Sequence, residues 1–230
     1  MLKRLLQHAG VAIAAAASLA LIAPAASAQS ADQQKLVVEA EKTLSNFLRD
    51  PEMSWLQNNL GRAKAVLIAP EIVKAGFIFG GSGGRAVLVA RDPKTGKWVG
   101  PAFYTMATAS VGFQAGVAVS ETITAVMTDK GLNSLLSSSF KIGADVSVAA
   151  GPVGAGAKSD VIADLIAFSR SKGVYGGLNL DGTVVKTSDD WNSAYFGKTV
   201  LPPDILVRAN VHNKDADKLL ADVTKAAAKK

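Results

Sequence analysis

The chain has no cysteine among its 230 residues. That excludes disulfides, thiolate metal centres and thiol nucleophiles, so the fold must be held by its core alone. Histidine is nearly as scarce, with only His8 and His212. A zinc or transition-metal site would have to be built almost wholly from carboxylates, and neither a metal nor a cofactor is expected. Charged side chains make up 19% of the chain and leave a net charge of +6. This basic excess falls short of the dense patch that marks a nucleic-acid binder, so no nucleic-acid partner is expected. Past the first 28 residues no apolar run approaches the roughly 20 residues that a membrane-spanning helix needs.

Those first residues form a separate unit. Lys3 and Arg4 supply a charged start, Val11 to Ile22 an apolar core, and Ala26-Ser27-Ala28 a small-x-small cleavage pattern. This is the pattern of a secretory signal peptide, with Gln29 as the mature start. The expectation is an exported protein, periplasmic or secreted, peripheral on an envelope membrane if membrane-bound. The rest divides into an N-terminal helical segment (29–62), a β-rich core (63–208) and a C-terminal basic helix (209–230), together forming one domain.

Within the core, the stretch from Lys74 to Gly116 organises the chain. Phe77 to Gly80 and Ala86 to Ala90 read as buried strands, and Gly80-Gly81-Ser82-Gly83-Gly84 between them reads as a hairpin turn. Ala63 to Ala69 reads as a strand stopped by Pro70. From Gly112 to Ser120 the pattern alternates, placing Phe113, Ala115, Val117 and Val119 on one face. Phe140 to Ala150 gives a clean period-two signal for one long strand. Leu165 to Ser171, Gly173 to Leu180 and Thr183 to Lys186 read as further strands, with a turn at Asp181-Gly182. Helices are expected over Asp32 to Asp50 with Asp32 as N-cap, over Pro51 to Asn59, Asp129 to Leu136 and Asp189 to Tyr195, and from Asn213 to the end. The fold class is α+β: a mainly antiparallel, curved sheet or barrel-like β core flanked by N- and C-terminal helices.

Catalytic patterns fare poorly. Gly80 to Gly84 matches G-x-S-x-G, which in a hydrolase makes the serine, here Ser82, a nucleophile at a strand-to-helix bend. Here the chain continues as strand, and His212 is the single histidine left after the leader. Ser138 with Lys141 and Ser169 with Lys172 match Ser-x-x-Lys, but both abut strands, and the accompanying Lys94-Thr95-Gly96 precedes them in the wrong order. The glycines do not open a helix, so they do not form a nucleotide cradle. What survives is basic side chains around glycine-rich strands, suited to phosphate: arginine by paired hydrogen bonds, lysine as a point charge.

Several motifs carry a resemblance: Lys74 to Gly81 (KAGFIFGG), Pro101 to Tyr104 (PAFY), Ser110 to Gly116 (SVGFQAG), Gly143 to Gly154 (GADVSVAAGPVG), Ser169 to Gly177 (SRSKGVYGG) and Ala194 to Gly197 (AYFG). The chain resembles the SYLF domain family, whose exported bacterial members it is expected to join. The resemblance implies a non-enzymatic phospholipid-binding module, with phosphoinositides as ligands in eukaryotic relatives and actin binding in the yeast members. Ala155 stands where many relatives carry arginine, which removes one candidate phosphate contact. An exported chain is expected to meet anionic bacterial lipid instead.

The leading expectation is therefore non-catalytic binding of anionic phospholipid at a cell-envelope membrane. Lys74, Arg85, Lys141, Arg170 and Lys172 are the candidate headgroup ligands, and Phe77 and Trp98 the candidate apolar contacts. The alternative is a protein-interaction or structural envelope module, scaffold-like in the manner of an actin regulator, with a protein partner. A serine hydrolase using Ser82 comes third. The oligomeric state is left open.

Overall fold

The computed structural model describes residues 23–76, 79–111, 116–155, 161–171, 174–175 and 180–229. Helix α1 (Ala23–Arg49) starts well upstream of Asp32. The described part of this helix opens on an alanine-rich run, and alanine is the best helix former. Asp50 ends it by accepting the Glu52 amide at 3.0 Å and caps a 3₁₀ turn, Pro51–Met53, that leads into α2 (Ser54–Asn59).

Four long strands follow: β1 (Ala65–Gly76), β2 (Phe79–Arg91), β3 (Trp98–Val111) and β4 (Gly116–Val126). After helix α3 (Asp129–Leu136) come β5 (Ser139–Lys141), β6 (Val148–Ala150), β7 (Leu165–Ser171), β8 (Val174–Tyr175) and β9 (Val184–Thr187). Helices α4 (Asp189–Phe196), α5 (Pro202–Leu206) and α6 (Asp217–Ala227) close the chain. The sheet runs β5-β9-β3-β2-β1-β4-β7-β6, with β8 paired to β7. Among the described strands β6 and β7 pair in parallel and the other strand pairs are antiparallel. The α+β class and the curved, mainly antiparallel sheet are as expected.

Curvature follows from the connection between β5 and β6. They lie at the two margins of the sheet, yet only residues 142–147 join them, so the margins are drawn together and the sheet curls into a half-barrel. The barrel interior holds Leu67, Leu88, Tyr104, Met106, Phe140, Ile142, Val146 and Leu206. The outer face packs α1, α2, α4 and α6 through Leu44, Phe47, Leu56, Tyr195, Leu219 and Val223 against Val66, Ile68, Val87, Val89, Ile123 and Phe168. Each fully buried side chain of this size stabilises the fold by about 1.5–3 kcal/mol.

The expected single strand over 140–150 is two short ones. Gly143 takes φ +88°, and the Asp145 carboxylate turns back to accept the Lys141 amide at 2.6 Å, breaking the run in the middle. Side-chain alternation persists through such a turn, so period two alone did not reveal it. The expected hairpin turn at Gly80–Gly84 is also corrected, because these residues lie inside β2 and pair with both β1 and β3. A Cβ on Gly81 would stand 2.9 Å from the Thr108 carbonyl oxygen, so this glycine permits close strand approach and does not form a bend.

One irregularity sets which side chains face which way. Between Ile68 and Glu71 the β1 strand carries one residue more than β2, and a matching shift occurs against β4. Pro70 occupies this bulge, where a strand tolerates a residue without an amide donor. Before it Val66 and Ile68 face the helices; after it Ile72 joins the barrel interior instead. By alternation Lys74 follows Ile72, and Glu71, Val73 and Ala75 take the outer face.

Candidate functional site

The cations proposed from the sequence are distributed and do not converge. Lys74 pairs in register with Ser82 and Ala118 on the inner face. Arg85 is on the outer face of β2, its guanidinium carbon 3.8 Å from the centre of the Trp191 ring of α4. Arg170, on the outer face of β7, meets the Glu121 carboxylate at 2.6 Å and lies 5.6 Å from the Phe47 ring centre. Three strand spacings, about 14 Å, separate β2 from β7. Lys141 is on β5, at the far margin from β7. Lys172 and Phe77 lie outside the described residues. No single phosphate-sized cluster forms from Lys74, Arg85, Lys141 and Arg170.

Trp98 is corrected as an apolar surface contact. It is 6% exposed and belongs to the outer-layer core, with the Arg91 guanidinium 5.5 Å from its ring centre. Its neighbour loop is built by Asp92, whose carboxylate accepts the Lys94 amide at 2.8 Å and the Thr95 hydroxyl at 2.7 Å. The hydrogen bond from the Lys94 amide, then that from Thr95, holds the Asp92 carboxyl below its ordinary pKa. This loop carries Lys94 and Lys97 at the Arg91–Trp98 end of the β2–β3 pair, opposite the Phe79–Val111 end.

Ser82 lines a shallow cleft on the inner face with Ile72, Gly83, Met106, Thr108, Leu180 and Thr183. His212 is not among these residues; it pairs with Asp217 at 3.1 Å beside α6. The described residues contain no group of three histidine, cysteine, aspartate or glutamate side chains able to hold a metal ion.

What the sheet does bring together is on its outer face, above the helical layer. Register sets Val119, Val73, Gly83, Ala107 and Val184 in one row across β4, β1, β2, β3 and β9. The next row holds Val117, Ala75, Gly81 and Ala109. Val73, Val117, Val119 and Val184 are 38%, 68%, 40% and 41% exposed, and Ala75, Ala107 and Ala109 are exposed as well. From β4 to β9 neither row contains a charged residue, and on β5 the first row ends at Lys141. Beneath them runs a polar row of Glu121, Glu71, Arg85, Thr105 and Lys186, flanked by Arg170. The Thr105 and Ser188 hydroxyls lie 3.0 Å apart, tying this row to the start of α4.

The sequence carried a partial signal for this surface. Alternation placed Val117 and Val119 on one face, but core and surface valines read alike until their exposure is known. The Arg85–Trp191 stack had no local signal, since its partners are far apart in the chain.

Comparison with known proteins agrees with the motifs. The family model Ysc84, described as Las17-binding protein actin regulator, matches residues 107–227. LAS seventeen-binding protein 3 of Saccharomyces cerevisiae is 33% identical over 171 residues, which is 69% of this chain and 37% of that protein. Protein YSC84 of the same yeast is 32% identical over 145 residues, 60% of this chain and 31% of its own length. The human SH3 domain-containing YSC84-like protein 1 is 27% identical over 152 residues, 64% of this chain and 44% of its own. The matched segment thus spans less than half of each of these relatives; the family description speaks of Las17 binding and actin regulation, and the name of the first relative of binding. By the extent of these matches the chain belongs to the Ysc84, or SYLF, domain family.

Proposed function

We propose that this chain is a non-catalytic protein-interaction module, exported by its leader and acting as a scaffold in the cell envelope. The observation that carries the reading is the pair of charge-free rows on the outer sheet face, with exposed valines clustered in register. Apolar surface of this kind, left uncovered and rimmed by polar side chains, marks an interaction site. The relatives' printed names, which speak of Las17 binding and actin regulation, support a protein ligand.

Site-specific photo-crosslinking in the producing cell tests this. A photoreactive residue is placed in turn at Lys35, Val117, Lys141, Ile162 and Lys225, all exposed. Protein adducts at one or more positions support the module reading; adducts to lipid alone, or none at any position, overturn it.

A second reading, binding of anionic phospholipid, has one observation behind it. The described ends of β1, β2, β3 and β4 meet at one end of the sheet, where Gly76 pairs with Gly80 and Gly116, and Phe79 with Val111. Lys74 is two residues from that end, while Phe77, Phe113 and Lys172 belong to segments outside the described residues. Co-sedimentation with phosphatidylcholine vesicles, with and without phosphatidylglycerol, tests it: retention that depends on the anionic lipid supports this reading.

A further inference from the structure

We infer that the end of the sheet opposite Phe79 and Val111 binds an acidic segment of a partner protein, through Arg62, Arg91, Lys94, Lys97, Lys225 and Lys229. This surface is separate from the apolar rows and is argued from charge. That its ligand is a protein rests on the module reading.

Three parts of the chain meet there. The Arg91 amide donates to the Lys64 carbonyl at 2.8 Å, so the end of β2 lies beside the residues that lead into β1, with Arg62 just before them. Trp98 pairs with Arg91 across β2 and β3, and the loop of Lys94 and Lys97 joins the two. Helix α6 packs against β3 and against the 3₁₀ turn Leu60–Arg62. A Cβ on Gly61 would stand 2.6 Å from the Ala227 oxygen, which sets the last turn of α6, with Lys225 and Lys229, next to Arg62. From β1 to β3 is two strand spacings, about 10 Å, so one short stretch of extended chain reaches across.

What distinguishes these cations is that they are unpaired. Among the described residues Lys64, Lys130, Arg170, Arg208 and Lys218 each meet a carboxylate, and none of these six does. Arg62 donates to the neutral Asn59 side-chain oxygen at 3.0 Å. Arg91 lies over the Trp98 ring, and its Nε has no hydrogen-bond partner. The acids nearby are engaged: Asp129 by Lys64 at 2.8 Å, Asp222 by Lys218 at 3.0 Å, and Asp92 by the Lys94 amide and Thr95 hydroxyl of its own loop. Like charges gathered in this way repel, so folding alone does not favour the arrangement, whereas incoming carboxylates offset it.

The loop is also built to present its lysines. The Asp92 amide donates to the Lys97 carbonyl and the Gly96 amide to the Asp92 carbonyl, both at 2.8 Å, and Gly96 takes φ +71°. Lys94 and Lys97, both exposed, therefore stand on a fixed turn, which lowers the cost of ordering them on binding. Other polyanions suit this surface less. A nucleic-acid strand gains by stacking its bases on exposed rings, and Trp98 is buried. A bilayer gains by taking up apolar side chains, and residues 92–97 and 224–229 include no aromatic, leucine, isoleucine, valine or methionine.

The test uses the full chain and two fluorescent synthetic peptides, one of alternating glutamate and serine and one with glutamine in place of each glutamate. The expected result is saturable binding of the glutamate peptide, weakened by added salt, and on the order of tenfold tighter than that of the glutamine peptide. Lys94→Glu/Lys97→Glu and, separately, Lys225→Glu/Lys229→Glu each weaken it on the order of tenfold. The two pairs lie on different elements, so if the melting curve of one shows misfolding the other still gives the readout. Lys141→Glu/Lys186→Glu makes the same change in net charge elsewhere on the surface and leaves binding unchanged. Equal affinity for both peptides, no loss in the lysine variants, or an equal loss in the control variant overturns the inference. Phosphatidylglycerol vesicles retained through the same four lysines also overturn it, in favour of a membrane. In the crosslinking experiment above, protein adducts at Lys225 support it. Protein adducts that appear elsewhere and avoid Lys225 leave the module reading standing and remove this surface from it.

Discussion

Gly84 lies against the carbonyl of Glu71: a Cβ on Gly84 would stand 2.2 Å from the Glu71 oxygen and 3.2 Å from the Ile72 Cα. The contact falls where β1 carries its extra residue, so the bulge exists only because β2 presents a glycine there. Gly84→Ala must push two paired backbones apart. We expect a loss of about 3 kcal/mol, a fall in Tm of roughly 6–12 °C, measurable by thermal unfolding. A Gly84→Ala protein with unchanged Tm would mean that the two strands do not meet this closely.

Gly61 makes a similar contact with the C-terminal helix, since a Cβ would lie 2.6 Å from the Ala227 oxygen. Gly61→Ala is expected to lift the last turn of α6 while leaving the sheet intact. Hydrogen exchange should then speed up over residues 219–227 and not over β1 to β4.

Asp164 holds three elements together. Its carboxylate accepts the Thr128 hydroxyl at 2.6 Å and the Ser147 amide and hydroxyl at 2.9 and 2.8 Å, with Lys130 at 3.6 Å. The Thr128 and Ser147 bonds depress its pKa to about 2. A depressed carboxyl adds stability above its unfolded value, near 3.9, and that stability is lost as pH falls towards 2. Asp164→Asn should cost about 1–3 kcal/mol at neutral pH. The variant should also flatten the acid side of the stability profile between about pH 4 and pH 2. An unchanged acid limb would show that another carboxylate governs it.

Asn192 is fully buried, and its side-chain oxygen accepts the Phe103 amide at 2.8 Å. Asn192→Ala strands that amide inside the outer layer. The expected cost is about 1–3 kcal/mol in chemical denaturation.

The order and kind of most elements were legible because each had a local cause. Asp129 to Leu136 forms a helix whose N-cap Thr128 accepts the Gly131 amide at 3.0 Å, and Gly182 takes the positive φ expected of an Asp-Gly turn. The site was less legible, because its residues meet only through pairing across the sheet. Glycines at 80–84 look the same in a turn as in a strand that must pass close to its neighbours. Trp98 looks the same on a membrane-facing loop as under the Arg91 guanidinium. Lys74, Arg85, Lys141 and Arg170, the proposed cations among the described residues, shared a composition but not a face, and nothing local to Lys74 discloses that a bulge four residues earlier turns it inward.

That bulge at Pro70 has an evolutionary corollary. Substitution alters a strand one side chain at a time, whereas losing this single residue would rotate the whole arm from Glu71 to Gly76 by half a turn. Lys74 would come outward among the valines, and Val73 would turn in. Relatives that differ by one residue at this point would present opposite surfaces from nearly identical sequences, so their ligands should track the length of this strand more closely than its composition.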